Sequence, residues 1–214
     1  MINILKKYKF EISLAVGLLI TILTGCAFAW NDAKDIKDSI VRMHIIANSD
    51  SKEDQALKLK VRDEILSLAT QLTKDANNAE EILDILSNNT ELLEKTAGKV
   101  VIDSGYDYTV AISTERNYFP TKNYGELTLP AGKYNALRVE LGDASGENFW
   151  CVIFPPLCLN VAKETEIDIN KEFDNIIDEQ QAALILNNND DNRINIKFKV
   201  VEVMAKGLQW LGIG

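Results

Sequence analysis

The side chains of this 214-residue chain that could do chemistry are few and scattered: one histidine, His44, and three cysteines, Cys26, Cys151 and Cys158. A thiol beside an imidazole makes a nucleophile and its base, and such partners need only meet in space, so Cys151 with His44 is one pair to consider. His44, however, alternates with the residues of a strand and reads more simply as a strand side chain with a polar tip. Cys151 also has a competing use. With Cys158 it flanks Pro155-Pro156, where a disulfide would staple a strand across a turn in an oxidising compartment; two buried free thiols are the alternative. Asp50 and Glu115 are the carboxylates an exported hydrolase could use as acid or base. There is no Gly-rich phosphate loop, Gly-x-Ser-x-Gly elbow or His-Glu-x-x-His, and nothing stands at a metal-ligand spacing from His44. We therefore expect no catalytic centre, metal or cofactor, and look for function in recognition.

The recognition candidates sit on short elements. Val41, Met43, Ile45 and Ala47 alternate with Arg42, His44 and Ile46, the period of a half-buried strand. The turn Asn48-Ser49-Asp50 follows, and Ser51 with Asp54 three residues on forms a helix-start signature. Leu57, Val61, Ile65, Leu68 and Leu72 then make one apolar stripe of that helix. Asn, Ser and Asp are ordinary turn residues whose side chains bond nearby backbone; a turn displayed by a rigid strand and helix is also a natural recognition surface. Arg138 and Glu140 share a strand face opposite Leu137, Val139 and Leu141. With Trp150 they form either a solvated ion pair or a partner-facing patch, since Arg and aromatics concentrate interface energy.

Further elements are predicted as helices over Ala79 to Leu86 and Thr90 to Ala97, with Gly98 a stop, and a strand through Tyr106, Tyr108, Val110 and Ile112. An antiparallel hairpin is predicted from Asn135–Leu141 and Phe149–Ile153 about the polar loop Gly142 to Asn148. Beyond it come a helical stripe at Phe173, Ile176, Ile177 and Leu184, a strand at Ile194, Ile196 and Phe198, and a terminal helix. This order predicts an α+β fold, one domain with helices packed on a mixed or antiparallel sheet.

At the N-terminus, Lys6, Lys7 and Lys9 precede the uncharged run Ile12 to Thr24, 13 residues against the roughly 20 of a spanning helix. This is the pattern of an export signal. Leu23-Thr24-Gly25-Cys26 fits a lipobox that would lipidate Cys26, Ala27-Phe28-Ala29 fits ordinary signal peptidase, and an uncleaved anchor through Trp30 is the third option. The division expected is 1–29 as signal or anchor and 30–214 as one extracytoplasmic domain. Removing the signal takes away three lysines and one glutamate, so a net charge of −9 becomes −11. Nucleic acid is excluded as a partner for want of a basic footprint, and anionic lipid would repel the domain, leaving membrane contact to the N-terminal segment or a lipid.

Two blocks are more particular than folding requires. Ala47-Asn48-Ser49-Asp50-Ser51 running into Lys52-Glu53-Asp54-Gln55 and on through Leu57-Lys58-Leu59-Lys60-Val61-Arg62-Asp63, and Leu129-Pro130-Ala131-Gly132-Lys133-Tyr134-Asn135-Ala136-Leu137-Arg138-Val139 with Gly146-Glu147-Asn148-Phe149-Trp150-Cys151-Val152-Ile153-Phe154-Pro155-Pro156-Leu157-Cys158, resemble the stage II sporulation protein R family. Phe149 stands where that pattern would carry a second tryptophan. The resemblance implies an exported developmental signal of endospore formation, made in the forespore and released between its two membranes. Its implied partner is a membrane-embedded aspartic protease, stage II sporulation protein G-A, which processes pro-sigma-E. A cell-wall hydrolase and a structural lipoprotein tethered by Cys26 are the readings it competes with.

Overall fold

The structure, a computed structural model, describes residues 9–124, 127–157 and Ile185. Four helices and six strands are described: α1 (Lys9–Asp38), β1 (Val41–Ile46), α2 (Lys52–Leu72), α3 (Ala79–Asn88), α4 (Thr90–Asp103), β2 (Val110–Phe119), β3 (Lys122–Tyr124), β4 (Leu127–Leu129), β5 (Gly132–Leu141) and β6 (Asn148–Phe154). The fold is α+β. A four-stranded mixed sheet runs in the order β2-β5-β1-β6, and β3 and β4 form a separate two-stranded sheet.

Strand alternation divides the apolar residues between two layers. On one face Met43, Ile45, Leu137, Val139, Cys151 and Ile153 meet Leu57, Val61 and Ile65 of α2, Leu86 of α3 and Leu93 of α4. On the other, Ile36 of α1 joins Ile40, Phe119, Leu127, Leu129, Tyr134, Val152 and Ile185 in a smaller core. Covering both faces changes the expectation for β1. It is central and buried at all six positions rather than half-buried. Arg42 is fully buried, its guanidinium 4.1 Å from the Phe119 ring, 4.8 Å from Tyr134 and 5.8 Å from Tyr124, donating 2.7 Å from Nη2 to the Tyr124 hydroxyl. Aromatic faces surround the charge there.

Three further expectations need correction. β5 and β6 are not a hairpin: β1 lies between them, parallel to β5 and antiparallel to β6. The loop Gly142 to Glu147 straddles the end of β1, fastened by Gly146 N to Ala47 O at 2.9 Å and Ser145 N to Asn48 O at 3.2 Å. Gly98 does not stop a helix; α4 continues through it to Asp103. The stop is Gly105, whose φ of +88° lets Gly105 N reach Ile102 O and Tyr106 N reach Val101 O. The strand expected from Tyr106 begins only at Val110, because Tyr108 is drawn to α2. The elements expected after Cys158 lie outside the described residues. α1 is continuous across the expected boundary at 29 and 30. Among the described residues no helix is long and apolar enough to cross a membrane.

Candidate functional site

The turn after β1 is organised by one carboxylate. Asp54, in the first turn of α2 and only 4% exposed, accepts from Asn48 Nδ2 at 2.9 Å and Ser49 Oγ at 2.5 Å on one oxygen, and from Tyr108 OH at 3.0 Å on the other. The Ser49 hydroxyl above all, with Asn48, Tyr108 and Ser51, holds its pKa below the usual carboxylate value against the opposing effect of burial. Ser51 caps α2, accepting from Asp54 N at 3.1 Å. The reciprocal half of a capping box is absent: Ser51 N donates to Ser49 Oγ at 3.2 Å, and the Asp54 carboxylate is spent on the turn.

The same turn grips the loop before β6. Asn48 Oδ1 accepts from Asp143 N at 3.0 Å, Asn48 O from Ser145 Oγ at 2.6 Å, and Asp50 Oδ1 from Glu147 N at 2.6 Å. Lys58, 5% exposed, donates to Glu147 O at 2.8 Å and to Gln55 Oε1 at 2.5 Å, and Gln55 Nε2 returns to Ser49 O at 2.9 Å. Desolvation lowers the Lys58 pKa. A Cβ on Gly142 would stand 2.2 Å from Asn48 Oδ1, and one on Gly146 2.3 Å from Ser49 O. Asn48, Ser49 and Asp50 therefore each hold a defined internal bond, which accounts for much of the specificity of the first block. Asp50 remains exposed.

Two residues back along β1, His44 is paired across the sheet with Arg138 on one side and Trp150 on the other. Its ring stacks on the Trp150 indole at 3.9 Å and 16°, with Phe119 edge-on to both at 6.0 Å and 4.8 Å. His44 Nε2 meets Asn148 Oδ1 at 2.6 Å. Burial lowers the His44 pKa; Asn148 opposes this, Arg138 adds to it, and Glu140 and Glu115 oppose it. Arg138 donates to Glu140 at 2.5 Å and to Glu115 at 3.4 Å, with its side chain 31% exposed. Because Asn148 follows Glu147, this rung adjoins the turn network: Asn48 and Asp50 bond the loop before β6, whereas Arg138 and Trp150 flank His44 within the sheet.

The enzymatic pairing fails on geometry. Cys151 pairs with Met43 and faces the helical layer, whereas His44 faces the opposite side of the sheet. Cys151 is disulfide-bonded; Cys158, the partner expected from sequence, lies outside the described residues. Cys26 lies on α1, with nothing described of its side chain. Asp50 and Glu115 are on separate elements, one bonded to Glu147 N and the other to Arg138 and Asn117. Among the described residues no three His, Cys, Asp or Glu side chains gather to hold a metal. Sequence reading left Asn148 and Tyr108 out of the site and weighed His44 only as a base for Cys151. Asn148 stands in the second block; Tyr108 lies in neither block, and only the fold brings it to Asp54.

Residues 37–164, which include both blocks, match the stage II sporulation protein R family. The chain belongs to this family. Its role is thereby placed in sporulation. Over 123 residues it is 37% identical to stage II sporulation protein R of Bacillus subtilis (strain 168), a match covering 58% of this chain and 55% of that relative, so the chain spans about half the relative's length. No solved structure matches it. The family match includes Cys151, Cys158 and every residue of the sheet-end cluster, and stops short of Cys26.

Proposed function

We propose that this protein is an exported signal of endospore formation that acts in the space between forespore and mother cell. There it binds the extracytoplasmic side of the membrane-embedded aspartic protease, stage II sporulation protein G-A, and favours its active form, so that pro-sigma-E is processed. Membership of the stage II sporulation protein R family carries this reading. It is supported by the bond that joins Asp50 of the first block to the Glu147 amide of the second. No nucleophile, base and orienter come together among the described residues, so the domain is read as a ligand of an enzyme rather than an enzyme. To activate, it must bind the active protease more tightly than the inactive one; equal affinity would shift nothing.

The test is co-purification of the exported domain with the protease, and sigma-E processing in cells carrying Asp50→Ala. Asp50 is exposed and its loss removes one bond to the Glu147 amide, so the variant is expected to melt close to the parent while processing falls. Processing that falls only in step with melting would assign Asp50 to the fold alone.

A further inference from the structure

The two outer strands of the main sheet are finished differently. β6 is buried at Cys151, Val152 and Ile153, whereas β2 is exposed at Ser113, Glu115, Arg116 and Tyr118. β2 pairs with β5 in unbroken antiparallel register, and it carries no bulge, lysine or proline of the kind that guards an open edge. Alternation fixes which of its backbone groups are left over. Gly142 N donates to Thr109 O at 2.9 Å, so Thr109 and every second residue after it turn N–H and C=O toward β5, while Val110, Ile112, Thr114, Arg116 and Tyr118 turn theirs outward. Ile112 bears this out, its N–H donating to Glu94 Oε1 of α4 at 2.8 Å. The outward groups of Thr114, Arg116 and Tyr118 have no partner among the described residues.

A row of such groups on an exposed strand is complemented by an extended main chain. Charge selects whose. Arg116 is held by Asp38 at 2.7 Å, but Glu115 shares Arg138 with Glu140 and has the longer bond, 3.4 Å against 2.5 Å, which leaves an excess negative charge beside the edge. A second copy fits poorly. Its β2 centred on Glu115 or Arg116 would set like charges opposite, and centred on Thr114 it would pair Arg116 with Ile112, whose amide Glu94 already holds. Two acidic exported domains would also repel. We infer that the outer edge of β2 from Thr114 to Tyr118 is a docking site for an extended basic segment of another protein, added to the sheet with a lysine or arginine beside Glu115. The inference rests on the protease reading above for that protein's identity, and the segment belongs to the protease's extracytoplasmic side.

The test is residue-resolved amide hydrogen exchange of the full chain, alone and with membrane vesicles that carry the protease. In the free protein the amides of Ser113, Glu115 and Asn117 are expected to exchange slowly and those of Thr114, Arg116 and Tyr118 fast; the latter three slow by about tenfold or more on the loaded vesicles and not on bare ones. Thr114→Pro deletes an outward N–H and no bond to β5, and is expected to weaken binding about tenfold. Glu115→Lys sets a cation against the basic segment and is expected to weaken it as well; as an exposed change, it keeps the test open if melting shows that the proline variant does not fold. Outward amides already protected in the free chain mean that its own remaining residues cover the edge, and protection that grows with protein concentration means that a second copy does. Either result overturns the inference and leaves the protease reading standing. So does a parent that binds the loaded vesicles with those amides still fast, or a folded Thr114→Pro that binds like the parent. If Glu115→Lys alone binds like the parent, the assignment of a basic segment is wrong. A folded parent that does not bind the loaded vesicles overturns the protease reading and this inference with it.

Discussion

Of the residues at the sheet end, His44 gives the clearest solution signature, because it is the chain's only histidine. Its neighbours are Arg42 on its own strand, Arg138 and Glu140 on β5, Glu115 on β2, and Trp150 and Asn148 on β6. Burial sets its folded pKa below the 6.5 of the free side chain. The unfolded chain therefore binds more protons between those two values, and stability must fall as pH drops below about 6.5. Asp54 acts in the same direction lower down: its depressed pKa contributes stability that is present above 3.8 and lost as pH falls toward the folded value. Urea midpoints are expected to decline from pH 7 to pH 5 in the parent and to stay level in His44→Phe, which keeps a ring against Trp150. A parent midpoint unchanged over that range would mean that the ring is solvated. Sequence located this residue on the correct strand yet assigned it no role, since alternation tells which side chains share a face but not what covers that face. The Asn48-Ser49-Asp50 turn was legible as a turn. That its side chains would converge on Asp54 was not, because the shared acceptor belongs to the next helix and its third donor, Tyr108, lies 54 residues further on.

At the scale of elements, the local signals were good and the pairing was not. The α2 start at Lys52 and its Ser51 cap follow from short-range hydrogen bonds that sequence spacing encodes. The insertion of β1 between β5 and β6 does not, because it depends on contacts about a hundred residues apart. A loop of polar residues between two strands suits a hairpin and a straddle equally well; what distinguishes them here is a set of bonds to the far side of the chain. Gly142 is decisive in that set. Its φ is +55°, a left-handed conformation that L side chains adopt at a cost, and an added Cβ would overlap Asn48 Oδ1. Gly142→Ala is expected to lose about 2 kcal/mol or more, strain and a broken Asn48 contact together, read as a shifted urea midpoint. Gly98→Ala, where a Cβ meets nothing and the backbone is helical, should stabilise by about 0.5–1 kcal/mol. Equal effects at the two glycines would show that the loop is not fastened as described.

For the molecule as a whole, the relation between the N-terminal helix and the domain decides what a cut near Cys26 or Ala29 would leave. α1 runs without a break from Lys9 to Asp38, and its last turn is part of the domain: Ile36 is fully buried in the second core, and Asp38 accepts from Arg116 Nη2 on β2 at 2.7 Å. Both candidate processing sites, Gly25-Cys26 and Ala27-Phe28-Ala29, lie at least six residues before Ile36. A cut at either removes the apolar run and leaves those contacts in place. The mature protein is therefore expected to begin between Cys26 and Asn31 and to melt where the uncut chain melts. Mass spectrometry of the exported protein distinguishes the routes: a diacylated Cys26 identifies a lipoprotein held at the membrane, and a free N-terminus at Trp30 identifies a released domain. The difference matters for the proposed signalling role, since tethering confines the domain near its proposed membrane partner and raises its effective concentration there. An intact Met1 on the active, exported form would rule out both cuts and make α1 the tether itself.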